Sequence, residues 1–190
     1  MSSTAHDSLP RHRLSLEDYH RMAQTGILRE DQRVELIEGE IIDMTPIGSW
    51  HAGIVAQLSH ILEQATKETA TLWVQNPIVL GPHSEPEPDL ALLRPRDDFY
   101  KTAHPRAKDI LLIIEVADSS LNYDRDIKLP LYARNGIAET WLIDGTLQNL
   151  TLCHEPTPDG YQQTTVPDDL TAISPLCFPE MRLDLSVLFE

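Results

Sequence analysis

Near the middle of the chain an unbroken apolar run, Ile110 to Ile114, ends on an acid, Glu115. Such a run marks a strand buried on both faces. A mixed segment follows and stops at Asn135-Gly136, where glycine suits the left-handed position past a helix end. Thr140 to Ile143 then resumes an apolar strand. The stretch from Asp109 to Asp144 therefore predicts strand, helix and strand, a βαβ-like unit. A carboxylate at the end of a buried strand is costly unless something pairs with it. Lys128, in the predicted helix, is the candidate partner.

The flanks carry other patterns. Ser15 to about Thr25 predicts a short helix, with Ser15 as N-cap, Asp18 three residues on and Gly26 as stop. Val34 to Met44 predicts a β-hairpin about the turn Glu38-Gly39. Its acids are expected mostly in solvent, with one directed inward. Trp50 to about Lys67 is the clearest helix: Ile54, Leu58, Ile61, Leu62 and Ala65 share one face. Leu72 to Leu80 reads as a strand with an irregularity or edge at Pro77. Pro82, Pro86 and Pro88 stiffen the approach to Asp89, which opens the apolar strand Leu90 to Leu93. Residues 94–108 read as loop. Leu147 to Leu152 and Tyr161 to Val166 predict an antiparallel pair, and apolar residues alternate from Met181 to Phe189. The expected organisation is a disordered tail over 1–13 and one mixed α/β domain over 14–190.

Composition narrows the function classes. The 190 residues carry a net charge of −15, which argues against broad, non-specific nucleic-acid binding. The acid excess lies outside 94–134. Arg94, Arg96, Lys101, Arg106 and Lys108 there form either a local basic surface or a solvated loop. No apolar run approaches the roughly 18 residues of a membrane span, and the N-terminus has no apolar signal region. Cys153 and Cys177 have no metal-type spacing. The default compartment is the cytoplasm.

Asp89, Glu115 and Lys128 form the constellation with chemical meaning. Two carboxylates brought close raise each other's pKa unless a cation sits between them. A hard divalent ion, Mg²⁺ or Mn²⁺, suits them. It would lower the pKa of a bound water and offset charge on a phosphoryl oxygen, with an ammonium alongside. That is equipment for phosphodiester hydrolysis. The residues leave alternatives open: Asp89 as a turn cap, and Glu115 with Lys128 as a buried structural pair. His51, in the first turn of its helix, either serves the site or satisfies a local hydrogen bond. Pro130, two residues past Lys128, requires the helix to begin there or to kink.

The combined pattern resembles the PD-(D/E)XK nuclease superfamily, and within it the Uma-two-type family of restriction endonucleases. The residues that carry the resemblance are Val34-Glu35-Leu36-Ile37-Glu38-Gly39-Glu40, His51, Pro88-Asp89-Leu90, Ile114-Glu115-Val116 with Ser119-Ser120, Asp124-Arg125 with Lys128 and Tyr132, and Gly136-Ile137 with Glu139, Trp141 and Asp144. They span roughly 14–188. The resemblance implies a restriction-endonuclease-like core: a mixed sheet of about four strands with helices on both faces. It implies Asp89, Glu115 and the Val116 carbonyl as metal ligands. The superfamily's strand lysine would fall at position 117, which is Ala117, and Lys128 on the following helix takes its place. Glu35 matches an early acid that holds metal or water, or else is an ordinary exposed strand residue. Tyr132 is expected in the core, Asp124 as a helix cap, and Arg125 at a phosphate or on the surface.

The expected function is a metal-dependent endonuclease acting on DNA, with a homodimer suited to cutting both strands. A non-catalytic binding or regulatory module on the same fold is the alternative. A hydrolase of smaller phosphoesters is a third reading.

Overall fold

The computed structural model describes residues 10–29, 31–67 and 69–190. The part of the expected tail that covers 1–9 lies outside the described residues. Arg11 pairs with Glu40 at 3.0 Å, and the Leu14 amide donates to the Gly39 carbonyl, so the segment just before the first helix lies along the hairpin.

Helix α1 (Leu16–Gln24) starts as its cap predicts. The Ser15 hydroxyl accepts from the Asp18 amide while the Asp18 carboxylate accepts from the Ser15 amide, so two orphan donors are satisfied reciprocally. Strands β1 (Val34–Ile37) and β2 (Glu40–Asp43) pair antiparallel with Ile37 opposite Glu40. The two-residue turn between them places Glu38 and Gly39 at φ 50° and 84°, the mirror-image geometry that favours glycine. Both faces of β1 are buried, so Glu35 lies inside the protein. The chain entering the main sheet pairs along the edge of β1 that β2 leaves free, where the Glu85 amide donates to the Leu36 carbonyl at 2.7 Å.

Six strands form the main sheet in the order β3-β4-β5-β6-β7-β8. They are β3 (Thr71–Val74), β4 (Leu90–Leu93), β5 (Ile110–Ala117), β6 (Glu139–Asp144), β7 (Asn149–Thr157) and β8 (Gly160–Thr165). Only β5 and β6 run parallel, joined by the predicted crossover; the other neighbours are antiparallel. The fold is therefore mixed α/β: a core of four strands, β3 to β6, extended by the predicted C-terminal pair β7 and β8. The strand expected over Leu72 to Leu80 stops at Val74, because Gln75 turns to φ 47° and Val79 bridges to Arg106 instead. Strand β5 continues two residues past Glu115, so that acid is inside the strand. The alternation from Met181 to Phe189 yields one bridge, Leu183 to Ile173, and a short 3-10 turn.

Helix α2 (Ser49–Thr66) covers one face of the sheet. Leu58 and Leu62 are fully buried in a core with Leu112, Ile114, Val116 and Trp141, at about 2 kcal/mol for each such side chain. Leu183, Leu185 and Leu188 close this core; the alternation holds through Leu185 and changes step in the 3-10 turn that follows. On the other face, Leu131 and Tyr132 pack with Ile37, Leu93 and Ile113.

The crossover is a helix with a widened turn. Short α3 (Leu121–Tyr123) passes into a π turn (Asp124–Lys128) and then α4 (Leu129–Arg134). The Leu129 amide reaches back five residues to the Asp124 carbonyl. Pro130 has no amide to donate and would collide with the carbonyl four residues earlier in a regular helix. The wider turn relieves that collision. Regular α-helix thus begins at Leu129, with Pro130 in its first turn, as one of the two readings allowed, and the backbone runs into it through the π turn without a break.

Candidate active site

Strand pairing alone brings the two principal acids together. Leu90 lies opposite Ile114, so one step further Asp89 lies opposite Glu115, at the short separation of a cross-strand pair. The Val116 amide donates to Asp89 Oδ2 at 2.9 Å, and the Asp89 amide donates to Glu115 Oε2 at 3.3 Å. Each acid is clamped by the other's strand.

The helix supplies the cation. Lys128 Nζ lies 3.2 Å from Glu115 Oε1 and 3.6 Å from Glu35 Oε2, and donates to the Glu87 carbonyl at 3.3 Å. The π turn sets Asp124, Lys128 and Tyr132 on one buried face. The Tyr132 hydroxyl donates to Glu115 Oε1, so Tyr132 packs in the core and also serves the site. Asp124 caps no helix: it accepts from the Ser120 hydroxyl at 2.5 Å inside the π turn and lines the same cavity. Glu35 is not the exposed strand residue that one reading allowed. It accepts from the Tyr123 hydroxyl at 2.8 Å and the Glu87 amide at 3.0 Å.

The opposite wall comes from α2. Trp50 lies over Gly145, where an added Cβ would meet the indole at 2.5 Å. That contact ties the start of α2 to the end of β6. His51 follows, with Nε2 2.8 Å from Asp89 Oδ1, and Gln75 Nε2 donates to the same oxygen at 3.2 Å. His51, Gln75 and Tyr123 therefore join the site. The helix-start position of His51 signalled its part; nothing in the local pattern signalled Gln75, which lies just past the end of β3.

Glu35, His51, Gln75, Asp89, Glu115, Tyr123, Asp124 and Lys128 border a cavity of about 360 Å³. Burial drives its electrostatics. Glu115 is pushed up to about 8 by burial, against the pull of Lys128. Burial would also raise Asp89, but the bond from His51 and the charges of His51 and Lys128 hold it below the usual carboxylate range. His51 is raised by that same bond, against burial. Burial would lower Lys128, and the surrounding carboxylates, Glu115 first, raise it instead. Asp124 and Glu87 are raised by burial. Two neighbouring carboxylates are thus driven apart in proton affinity, the arrangement from which acid and base roles are drawn.

The donor set fits a hard ion of low protein coordination. A carboxylate offers about four acceptor positions. Asp89 uses three, for His51, Gln75 and the Val116 amide. Glu115 also uses three, for Tyr132, Lys128 and the Asp89 amide. One position on each remains. Among the described residues no group of three or more His, Cys, Asp or Glu side chains is arranged to hold a metal.

The arginines and lysines of 94–108 are not part of the cavity wall. That segment leaves from the far end of β4, where Arg96 pairs with Asp98 at 2.5 Å and stacks over Tyr100. Arg125 points to the surface, bonded to Asp126 and Asn122. Lys128 and Arg33 are the cavity's Lys and Arg residues.

Among the described residues no helix is long and apolar enough to cross a membrane. A search of curated proteins finds no match. A solved structure, that of a putative nuclease belonging to DUF820 from Anabaena variabilis ATCC 29413, is similar at 20% identity with a TM-score of 0.71, covering 93% of this chain and 97% of that one. At that identity the likeness establishes the shared fold. A family model described as "Putative restriction endonuclease" matches residues 16–186, and by that match the chain belongs to the Uma2 family.

Proposed function

We propose that this protein is a Mg²⁺- or Mn²⁺-dependent nuclease that hydrolyses phosphodiester bonds in DNA. The observation that carries the reading is the convergence of Asp89, Glu115 and Lys128 on one solvent-connected cavity. Asp89 and Glu115 would hold the ion, with the Val116 carbonyl as the chain's third donor. The bound ion would lower the pKa of a water and offset charge on the phosphoryl oxygens.

The chain's own groups have distinct work. His51 and Gln75 hold Asp89 in one orientation and keep it ionised. Tyr132 holds Glu115, and Tyr123 holds Glu35, which anchors Lys128 from its other side. The Lys128 ammonium is poised to donate to a non-bridging phosphate oxygen as charge gathers there. In the reaction a water oxygen bonds to phosphorus and the ester P–O bond breaks. One water proton ends on the leaving oxygen, so the products are a phosphomonoester and an alcohol.

The test is cleavage of labelled oligodeoxynucleotides with and without Mn²⁺, together with Mn²⁺ binding by calorimetry. Asp89→Ala is expected to abolish cleavage and weaken Mn²⁺ binding. Equal cleavage by wild type and variant, or no Mn²⁺-dependent cleavage of any nucleic acid, overturns the reading.

A further inference from the structure

The acids that would hold the ion are largely enclosed. Glu115 is 1% exposed and the Asp89 side chain 14%, on the inner wall of a cavity of about 360 Å³. That volume is near the lower end of the roughly 300–1,000 Å³ typical of small-ligand sites. A duplex is stiff over roughly 150 base pairs and presents its phosphates on a convex surface. It cannot push one phosphate in to such a wall without its neighbours striking the rim. An unpaired strand has no such constraint, and its bases are free to stack on aromatic or apolar walls. Ile42, Met44, Ile47 and Tyr123 supply such walls.

The cavity also has an outlet. Ile42 and Tyr123 line a neighbouring groove as well, shared with Ile37, Ile127, Arg13 and the ion-paired Glu38 and Glu40, so the two spaces adjoin along hairpin β1–β2. Arg33 stands at the cavity just before β1, and Arg13 lies against the turn at its far end. There the Gly39 Cα faces Arg13 so closely that an added Cβ would come 2.6 Å from the Arg13 Cβ. By strand rise, the backbone at Arg33 and the turn that Arg13 packs against are roughly 15 Å apart. Arg11, Arg21, Arg29, Arg96, Arg125 and Arg134 each pair with a carboxylate. Among the described residues, Arg13 and Arg33 make no ion pair or side-chain hydrogen bond. In a chain of net charge −15, two guanidiniums without an ion pair, Arg33 near Glu87 and Arg13 by the turn, at the two ends of adjoining grooves mark a path for a few phosphates, not a broad field for a duplex.

We propose that the substrate is a single-stranded stretch or unpaired end of DNA, which enters the cavity beside Arg33 and leaves along the hairpin toward Arg13. This rests on the nuclease reading above and deepens it. Arg13 positions the strand and touches none of the reacting atoms.

The test compares three substrates with the full chain in Mn²⁺: an oligothymidylate of about 12 nucleotides, a blunt hairpin duplex, and bis(p-nitrophenyl) phosphate, which is too small to reach Arg13. Wild type is expected to prefer the single strand by about tenfold or more in kcat/KM. Arg13→Ala, which keeps the Cβ packed on Gly39, should raise KM for the oligothymidylate about fivefold and leave the small diester unchanged. Its rate should also depend less on salt, with a slope shallower by about 0.7 for one lost phosphate contact on a single strand. Arg13→Glu should enlarge the KM effect. A duplex cut as well as the single strand, or an Arg13→Ala enzyme equal to wild type on the oligothymidylate, overturns the inference. If the small diester is hydrolysed in either of those cases, the nuclease reading stands alone. If no substrate is hydrolysed, both fall.

Discussion

Two acids on adjacent parallel strands, Glu115 on β5 and Glu139 on β6, are each only 1% exposed, yet they sit in opposite circumstances. Glu139 Oε1 accepts from the Trp141 indole at 2.7 Å and faces His154 Nε2 at 3.0 Å, while Oε2 accepts from the Leu176 amide at 2.7 Å. It joins strand, neighbouring strand and C-terminal segment, and it borders none of the cavities described above. Glu115 is held by an ammonium, a phenol and an amide, and one acceptor position remains beside a cavity. Burial of an acid therefore does not by itself mark a site. What distinguishes the two is whether the donors form a closed set and whether the remaining lone pair faces open space. Because β5 and β6 run parallel, the start of β6 and the end of β5 lie at opposite ends of the sheet. The open crevice is the one at the strands' carboxyl ends, where ligands gather in α/β sheets.

The largest expected contrast is in catalysis. Glu115→Ala should lower Mn²⁺-dependent hydrolysis by about 10²-fold or more, the size of effect seen when a transition-state donor is lost. Glu139→Gln, assayed well below its melting temperature, should retain kcat. A folded but inactive Glu139→Gln enzyme would erase the distinction drawn here. Stability should invert the ranking. Glu139→Gln turns an acceptor toward a donor in a closed network and should cost about 2–4 kcal/mol in urea unfolding. Glu115→Gln, which mimics the protonated acid, should change stability at pH 7 by only about 1 kcal/mol.

The pH dependence sharpens this further. Glu115 goes from an ordinary value of 4.5 to about 8 on folding, so between those values the native state holds a proton that the unfolded chain has lost. Stability contributed by this group therefore falls as pH rises from 4.5 toward 8 and levels off above. Urea titrations of the metal-free protein should show that decline, and Glu115→Gln should remove it and be the more stable form at pH 9. An unchanged slope in the variant would mean that another group carries the titration. An effect as small as that of Glu115→Gln at pH 7 should come from Tyr132→Phe, which keeps the ring in the core and removes one hydroxyl from Glu115, at about 1 kcal/mol in urea unfolding.

The elements were legible where a local period or a turn residue specifies them. The run Ile110–Ile114, the face of α2, the Ser15 cap and the Glu38-Gly39 turn each carry their own explanation within about a dozen residues. Position 117 shows where local reading stops. Ala117 lies where the resemblance would put a lysine, and the structure brings Lys128 to within 3.2 Å of Glu115 from the next helix. The juxtaposition of Asp89 with Glu115 depends on β4 and β5 pairing in one register, which no stretch of sequence near either residue specifies. Asp124 and Tyr132 turn inward only because the helix widens to admit Pro130, and Glu35 is buried only because the chain before β4 closes over the hairpin. Periodicity and turn chemistry, being short-range, were thus written in the sequence alone. Register, helix phase and the company each acid keeps belong to the tertiary structure, because they arise from packing between segments that are distant along the chain.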